Sequence, residues 1–158
     1  MFEIKKPPST LESIDPSCSV FLAGSIEKGH AEDWQSVVTH SLSDLDLTIL
    51  NPRRDEWDAT WEQSIHNARF RVQVEWELDA QERAGLIAMY FAPSTRAPTT
   101  LLELGLFARS GKTIVCCPDG YWRKGNVEIV CRKFGVPLVE TLDEFVGLVR
   151  SRIEAKNG

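Results

Sequence analysis

Short apolar runs rich in β-branched residues alternate with helical patterns along most of the chain, and this alternation constrains the fold more than any other feature. The runs predicted to be strands are Ser19–Gly24, Leu47–Leu50, Leu86–Phe91, Lys112–Cys117 and Pro137–Val139. A strand that lacks polar alternation needs cover on both faces, which is typical of a parallel sheet between helices. The sequence therefore predicts an α/β fold, a flavodoxin-like doubly wound five-stranded parallel sheet with helices on both faces.

The segments between the strands have the periodicity of helices. They are predicted at Ala31–Leu45, at residues 60–84 as one or two helices, and at Pro98–Gly111, Val127–Phe134 and Asp143–Lys156. The first ten residues look frayed, and residues 1–17 are expected to be a partly extended segment of one domain that spans residues 1–158. Ligands of such sheets bind beyond the carboxyl ends of the strands, which selects the loops after the first four strands.

Charge and hydropathy exclude several classes of function. The 158 residues carry a net charge of -5, which argues against a nucleic-acid polymer as a partner because such interfaces are basic. No apolar stretch approaches the roughly 18 residues that a membrane span needs, and the N-terminus lacks the apolar core of a secretory signal. The four cysteines, Cys18, Cys116, Cys117 and Cys131, have no metal-ligand or redox spacing. We therefore expect a reduced, cytoplasmic protein without a metal or a cofactor.

Glu103 is a carboxylate inside an apolar helical run. Its neighbours one turn away are Thr99, Thr100, Leu106 and Phe107. A charge on that face would be buried, so it needs a partner, a raised pKa or a catalytic role. Glu103 is expected in about the first turn of its helix, where the helix N-terminus favours an ionised carboxylate that can act as a nucleophile. The alternative is a buried glutamate satisfied by backbone donors or by an arginine.

Glu77 is a second carboxylate predicted to point inward. On the long predicted helix, one face is shared by Phe70, Val74, Glu77, Leu78 and Gln81. Two carboxylates around one cleft can divide nucleophilic and acid–base work, as they do in retaining glycosidases. The alternative is a boundary residue whose stem is packed and whose carboxylate lies in water.

Three loops at the same edge of the predicted sheet carry candidate binding residues. Gly24 and Ser25 offer backbone donors and a hydroxyl that can cradle a phosphate or a sugar hydroxyl. The residues after the second strand that can clamp a base are Asn51, Arg53, Arg54, Asp55 and Trp57. Trp122 lies in a third polar and aromatic loop, residues 121–126. The alternatives are a plain Gly-Ser turn, a solvated turn with an Arg–Asp pair, and a surface or subunit-interface loop.

Taken together, these segments resemble the nucleoside 2-deoxyribosyltransferase-like family over residues 20–133. The motifs that carry the resemblance are Phe21-Leu22-Ala23-Gly24-Ser25-Ile26, Asn51-Pro52-Arg53-Arg54-Asp55 with Trp57, Glu77 ahead of strand three, Leu102-Glu103-Leu104-Gly105, Gly111-Lys112, and Trp122-Arg123-Lys124-Gly125-Asn126-Val127. The Glu-Leu-Gly motif is short, but its position between the third and fourth strands is specific.

The resemblance implies a role for several of the matched residues. It makes Glu103 the nucleophile that attacks the anomeric carbon of the sugar, and Glu77 the residue that handles the proton on the departing base. Ser25, with Gly24, matches the place where related nucleotide hydrolases hold a 5′-phosphate. Asn126 matches an asparagine that reaches the site of a neighbouring subunit, which implies a homo-oligomer with sites shared between subunits.

Three positions depart from the family pattern. Phe21 stands where transferase members have a tyrosine that contacts the nucleophile, so that hydrogen bond is expected to be missing. The loop 94–98, which contains the predicted substrate contact Thr95, lacks an aspartate that helps to grip the base. Gly85 replaces a common acidic residue. These departures bear on the specificity for the base more than on cleavage of the N-glycosidic bond.

The predicted function is transfer of the sugar of a (2′-deoxy)nucleoside to another base by covalent double displacement on Glu103. One alternative is hydrolysis of a nucleoside or a nucleoside 5′-monophosphate in the same site, with water as the acceptor. A further alternative is a non-catalytic nucleotide-binding module that senses its ligand. The predicted partner in each case is a small nucleoside or nucleotide.

Overall fold

A parallel sheet of six strands forms the centre of the computed structural model, which describes residues 1–25, 33–53 and 60–158. The strands are β1 (Glu3–Lys5), β2 (Ser19–Gly24), β3 (Thr48–Leu50), β4 (Leu86–Tyr90), β5 (Thr113–Cys116) and β6 (Leu138–Val139). They are ordered β1-β3-β2-β4-β5-β6, and each neighbouring pair is parallel. The α/β fold with a parallel sheet is confirmed, and the order of the last five strands is compatible with a flavodoxin-like fold.

The prediction of five strands was wrong because β1 belongs to the segment that looked frayed. Its residues pair in register with β3, so that Glu3 lies opposite Thr48 and Lys5 opposite Leu50. The sequence Glu-Ile-Lys is too short to show a periodicity, and Ile4 remains exposed. The strand is held by backbone pairing with β3 rather than by an apolar pattern, and its charged residues suit the edge of a sheet.

The described residues form five α-helices, of which the first four connect strands and the last follows β6: α1 (Trp34–Ser41), α2 (Ala68–Arg83), α3 (Pro98–Phe107), α4 (Lys124–Phe134) and α5 (Leu142–Asn157). The predicted start of the first helix at Ala31 lies outside the described residues. The second helix begins later than predicted, because Asn67 accepts a hydrogen bond from the backbone N–H of Phe70 at 3.1 Å and caps it there. None of the helices among the described residues has the length and hydrophobicity that a bilayer-spanning segment needs.

Helices cover both faces of the sheet, and alternate residues of each strand point to opposite faces. Phe21 of β2 packs in the cluster that contains Trp76 of α2, together with residues of α3 and α4. Its neighbour Leu22 packs in the other cluster, with Trp34 of α1 and with residues of α5. Both faces of the central strands β2, β4 and β5 are therefore buried, which explains their continuous apolar character.

The C-terminal end of α2 is anchored to the sheet from two sides. The ammonium group of Lys112 donates to the backbone carbonyls of Gln81, Glu82 and Ala84 at 2.6–2.8 Å, which satisfies oxygens that the helix end leaves unpaired. Gly85 follows directly, and a Cβ atom there would lie 1.6 Å from the carbonyl oxygen of Pro16. Only glycine allows this close approach, so the chain between the end of α2 and the start of β4 is held in a fixed position.

Candidate active site

A pocket of about 360 Å³ opens at the carboxyl ends of the central strands, where the topology predicts a ligand site. Its apolar lining consists of Phe21, Ala23, Pro52, Phe70, Val74, Ala97 and Pro98, and the remaining lining residues are Gly24, Ser25, Gln63, Gln73, Glu77, Thr99, Thr100 and Glu103. The volume falls within the range of small-molecule sites, and a largely apolar wall with a few convergent polar groups is typical of them.

The N-terminus of α3 forms one side of the pocket. Ala97 precedes the helix in the left-handed conformation with a φ of 46°, and Pro98 occupies the first turn. No side chain caps this end, and the first helical hydrogen bond runs from the N–H of Leu101 to the carbonyl of Ala97. Thr99 and Thr100 therefore bring uncapped helix-end amides to the pocket, and such amides favour anions and oxygen acceptors.

Glu103 lies in the second turn of α3, one turn later than predicted, and only 8% of its surface is exposed. Burial raises the pKa of its carboxyl to about 8, and the negative charge of Glu77 acts in the same direction. The amide of Gln81 donates a hydrogen bond to Glu103 Oε2 and partly opposes this rise. The expectation that the helix N-terminus would set the ionisation was wrong, because desolvation dominates and the helix dipole fades beyond the first turn.

Glu77 lines the same pocket from α2. Burial raises the pKa of its carboxyl to about 7, and a hydrogen bond from Gln73 opposes the rise. That bond joins Gln73 Nε2 to Glu77 Oε1 at 3.0 Å, and the same nitrogen also donates to the carbonyl of Pro52 at 2.9 Å. Because desolvation disfavours the ionised form of both carboxyls and the charge of Glu77 adds repulsion at Glu103, the pair retains a proton at neutral pH. Glu103 is buried, whereas Glu77 remains partly exposed.

Gly24 and Ser25 reach the pocket as predicted from the end of β2. A Cβ atom at Gly24 would lie 2.4 Å from Trp34 and 2.6 Å from the carbonyl oxygen of Tyr90, so the chain passes there only as glycine. The Ser25 hydroxyl lies 2.6 Å from that of Thr95, which donates to the carbonyl of Ala92 at 3.0 Å. Thr95 is thus buried behind Ser25 and supports it, rather than lining the pocket itself.

The loop after β3 brings Pro52 to the pocket, whereas the predicted contacts on either side of it have other partners. Asn51 accepts a hydrogen bond from the backbone N–H of Arg53 at 3.0 Å. The guanidinium of Arg53 lies 2.9 Å from Asp33 at the start of α1. Neither residue is among those that line the pocket. Arg54, Asp55 and Trp57 lie outside the described residues.

Trp122 and Asn126 do not line the pocket of this chain. The Trp122 indole N–H donates to the carbonyl of Arg96 at 2.9 Å. Two guanidinium groups lie over its ring, that of Arg96 at 5.5 Å and that of Arg123 at 4.5 Å from the ring centroid. Asn126 is exposed near the start of α4. The expected reach of Asn126 into a neighbouring subunit therefore stays a prediction.

Two glutamines of α2 were missed as site residues although the sequence contained a signal for them. Gln73, Glu77 and Gln81 follow one another at intervals of four, so the helix places them on one face. Each glutamine is buried and donates to one of the two carboxylates. Glutamines four residues before and after an inward glutamate on one helix face indicate amide groups that donate hydrogen bonds to buried carboxylates. Among the described residues, no group of three or more histidine, cysteine, aspartate or glutamate side chains can hold a metal ion.

A family model described as nucleoside 2-deoxyribosyltransferase like matches residues 17–121. The match covers more than half of the chain and includes all of the residues that line the pocket. A search of curated proteins finds none that matches the chain.

The buried carboxyl of Glu103 should make the protein less stable as the pH rises. Its folded-state pKa is raised, so the native state binds the proton more tightly than the unfolded chain does, and this stability is lost between the ordinary pKa of 4.5 and about 8. We expect Glu103→Gln to be more stable than the wild type by about 2 kcal/mol at about pH 8.5 and nearly equal to it at about pH 5. Urea unfolding at both pH values measures this.

Glu75→Gln provides the control, because Glu75 is an exposed residue of the same helix. Its effect on the free energy of unfolding should be small at both pH values. A Glu103→Gln protein whose stability relative to the wild type is the same at both pH values would contradict the desolvated state of Glu103.

Proposed function

Because the chain belongs to the nucleoside 2-deoxyribosyltransferase-like family, we propose that it cleaves the N-glycosidic bond of a (2′-deoxy)nucleoside and transfers the sugar to another base. The observation that carries this proposal is the pair of carboxyls, the buried Glu103 and the half-buried Glu77, which line one pocket of a size suited to a small ligand. Their pKa values are both raised by burial, as expected for groups that exchange protons near neutral pH.

In the first step, a carboxylate oxygen of Glu103 attacks the anomeric carbon of the sugar. The bond between this carbon and the base nitrogen breaks, and its electron pair goes to the base. Glu77, or a water that it orients, supplies a proton to the departing base, and the sugar remains as an ester on Glu103. In the second step, a nitrogen of another base attacks the same carbon and gives up its proton to Glu77, or to the water that Glu77 orients, and Glu103 leaves as a carboxylate. Two displacements restore the β configuration.

The reaction sets a condition on the electrostatics of the pair. Glu103 has to be ionised to attack, while Glu77 has to hold a proton for the leaving base. Because the pKa of Glu103, about 8, lies above that of Glu77, about 7, the retained proton rests mainly on Glu103 in the free site, and it has to move to Glu77 before the attack. The hydrogen bond from Gln81 favours the ionised form of Glu103, which is the form that the nucleophile requires.

The rest of the pocket supports a nucleoside as the ligand. Phe21, Phe70 and Val74 offer apolar surface for a base, and Ser25 offers a hydroxyl for the polar edge of the sugar. No lysine or arginine is among the described residues that line the pocket. A 5′-phosphate would therefore have to rely on Ser25 and on the amides at the N-terminus of α3 within this part of the chain.

Hydrolysis of a nucleoside or a nucleoside 5′-monophosphate is a second candidate function of the same site. The uncapped N-terminus of α3 favours it, because helix-end amides bind phosphate groups. The first step would be unchanged, and water would then release the sugar from Glu103. A homo-oligomer, in which Asn126 of one chain reaches the site of another, is part of the same proposal and rests on the resemblance.

A base-release assay tests the proposed function. The purified protein is incubated with deoxynucleosides and with their 5′-monophosphates, with and without a free acceptor base, and the bases are separated by chromatography. Exchange that requires the acceptor supports the transferase, and release without it supports the hydrolase.

Glu103→Ala should lower the rate by roughly 1,000-fold or more because it removes the nucleophile. Near-normal turnover of Glu103→Ala, or ligand binding by a wild type that shows no turnover, would contradict the proposal.

Glu77→Gln tests the proton donor separately. The loss of a general acid should lower the rate by about 100-fold for bases that leave poorly and by much less for bases that leave readily. Rates for a series of nucleosides with leaving groups of different basicity measure this difference. Glu75→Gln on the same helix is the matched control and should behave as the wild type does. An equal loss for every leaving group would exclude Glu77 as the proton donor.

A further inference from the structure

Gln81 is a fully buried residue of α2 that donates to the carboxylate of Glu103 and to the backbone carbonyl of Glu77 without lining the pocket. We propose that Gln81 is the positioning residue of the nucleophile, which fixes the Glu103 carboxylate so that one of its oxygens faces the reacting sugar. This inference rests on the proposed function, because it assigns Gln81 a task within that reaction.

The orientation of the Gln81 amide follows from its neighbours. Its Nε2 donates to Oε2 of Glu103 and to the backbone carbonyl of Glu77, the latter at 3.2 Å. The carbonyl of Glu77 can only accept, so the opposite orientation of the amide would place an oxygen against it, and against the carboxylate as well whenever Glu103 is ionised. The amide nitrogen is therefore directed at the carboxylate by the surrounding groups.

The other end of the same amide accepts no hydrogen bond from the described residues. Gln81 Oε1 is buried and unpaired in that part of the chain, and an unpaired buried acceptor costs free energy. A leucine of similar size would avoid this cost. The amide is thus poorly suited to stabilising the fold and well suited to supplying a donor to Glu103.

The backbone of Gln81 is itself held in place. Its carbonyl accepts a hydrogen bond from the ammonium group of Lys112 at 2.6 Å. Glu77 lies one turn earlier on the same helix, and its carbonyl takes the second Gln81 bond. The donor to Glu103 is therefore mounted on a fixed helix end rather than on a loop, and such support keeps reacting groups in position.

Phe21 explains why a donor from α2 is needed. Its side chain lines the pocket and is 1% exposed, and it offers a ring without a hydroxyl. Within the described residues, Gln81 donates a side-chain hydrogen bond to Glu103. That bond occupies Oε2 and leaves Oε1 as the oxygen available for the attack. The same bond stabilises the ionised form that the attack requires.

The variant Gln81→Leu tests this inference. It removes the donor and also the unpaired Oε1, so the protein should fold at about pH 5, where the native Glu103 is protonated. We expect kcat for base release to fall by about 10- to 100-fold with KM changed little, because a hydrogen bond to a charged group is lost. The acid limb of the pH–rate profile should move upward by about one pH unit.

A titration by NMR gives a readout that does not require turnover. The carboxyl carbon of Glu103 is followed in glutamate-labelled protein, and its signal is identified by its absence in Glu103→Gln. Gln81→Leu should raise the pKa of Glu103 by about one unit. Asp79→Asn, at an exposed position of the same helix, is the control and should shift neither this pKa nor the rate profile.

The outcomes separate this inference from the proposed function. An unchanged pKa of Glu103 and an unmoved rate profile in Gln81→Leu would overturn the positioning role. A fall in kcat with no movement of either would overturn it too, because loss of packing alone produces that result. If the wild type releases no base but Gln81→Leu still raises the pKa of Glu103, the contact between Gln81 and Glu103 is supported and the proposed function is contradicted.

Discussion

The burial of two carboxyl groups beside each other is the constraint on which the site depends. Glu103 and Glu77 come from different helices; Glu103 is buried and Glu77 is half-buried, and desolvation raises the pKa of both. Such a pair is unstable when both members are ionised, so it retains a proton and needs donors that fix each carboxylate. Gln73 and Gln81 supply those donors from the same face of α2. The proposed reaction depends on this balance between the repulsion of the two carboxylates and the hydrogen bonds that the glutamines donate.

The sheet makes the arrangement possible by fixing the positions of the two helices. The end of α2 is held by Lys112 and by the close passage of Gly85 past Pro16. The start of α3 is set by the left-handed Ala97 and by Pro98. Both helices border the carboxyl ends of central strands, where parallel sheets bind ligands. Residues far apart in the sequence therefore meet in one pocket without a metal ligand set among the described residues.

The elements with continuous apolar patterns were predictable. Strands β2 and β4 are buried on both faces, and such strands consist of an unbroken run of apolar residues. The edge strand β1 was not predictable. It consists of three residues that pair with β3 through the backbone, and their sequence has no apolar periodicity. The face of α2 indicated Glu77, but the pKa of Glu103 depends on burial and on a neighbouring charge, which periodicity does not measure. The support of Ser25 by Thr95 likewise depends on two loops that only the fold brings together.

The central claim is that Glu103 forms a covalent bond to the sugar. Mass spectrometry of the protein, quenched in acid during turnover of a deoxynucleoside without an acceptor base, tests it most directly. The account predicts a deoxyribosyl adduct on the peptide that contains Glu103, and its loss when an acceptor base is added before the quench. Turnover with no adduct on any peptide, or an adduct on a residue other than Glu103, would contradict the account.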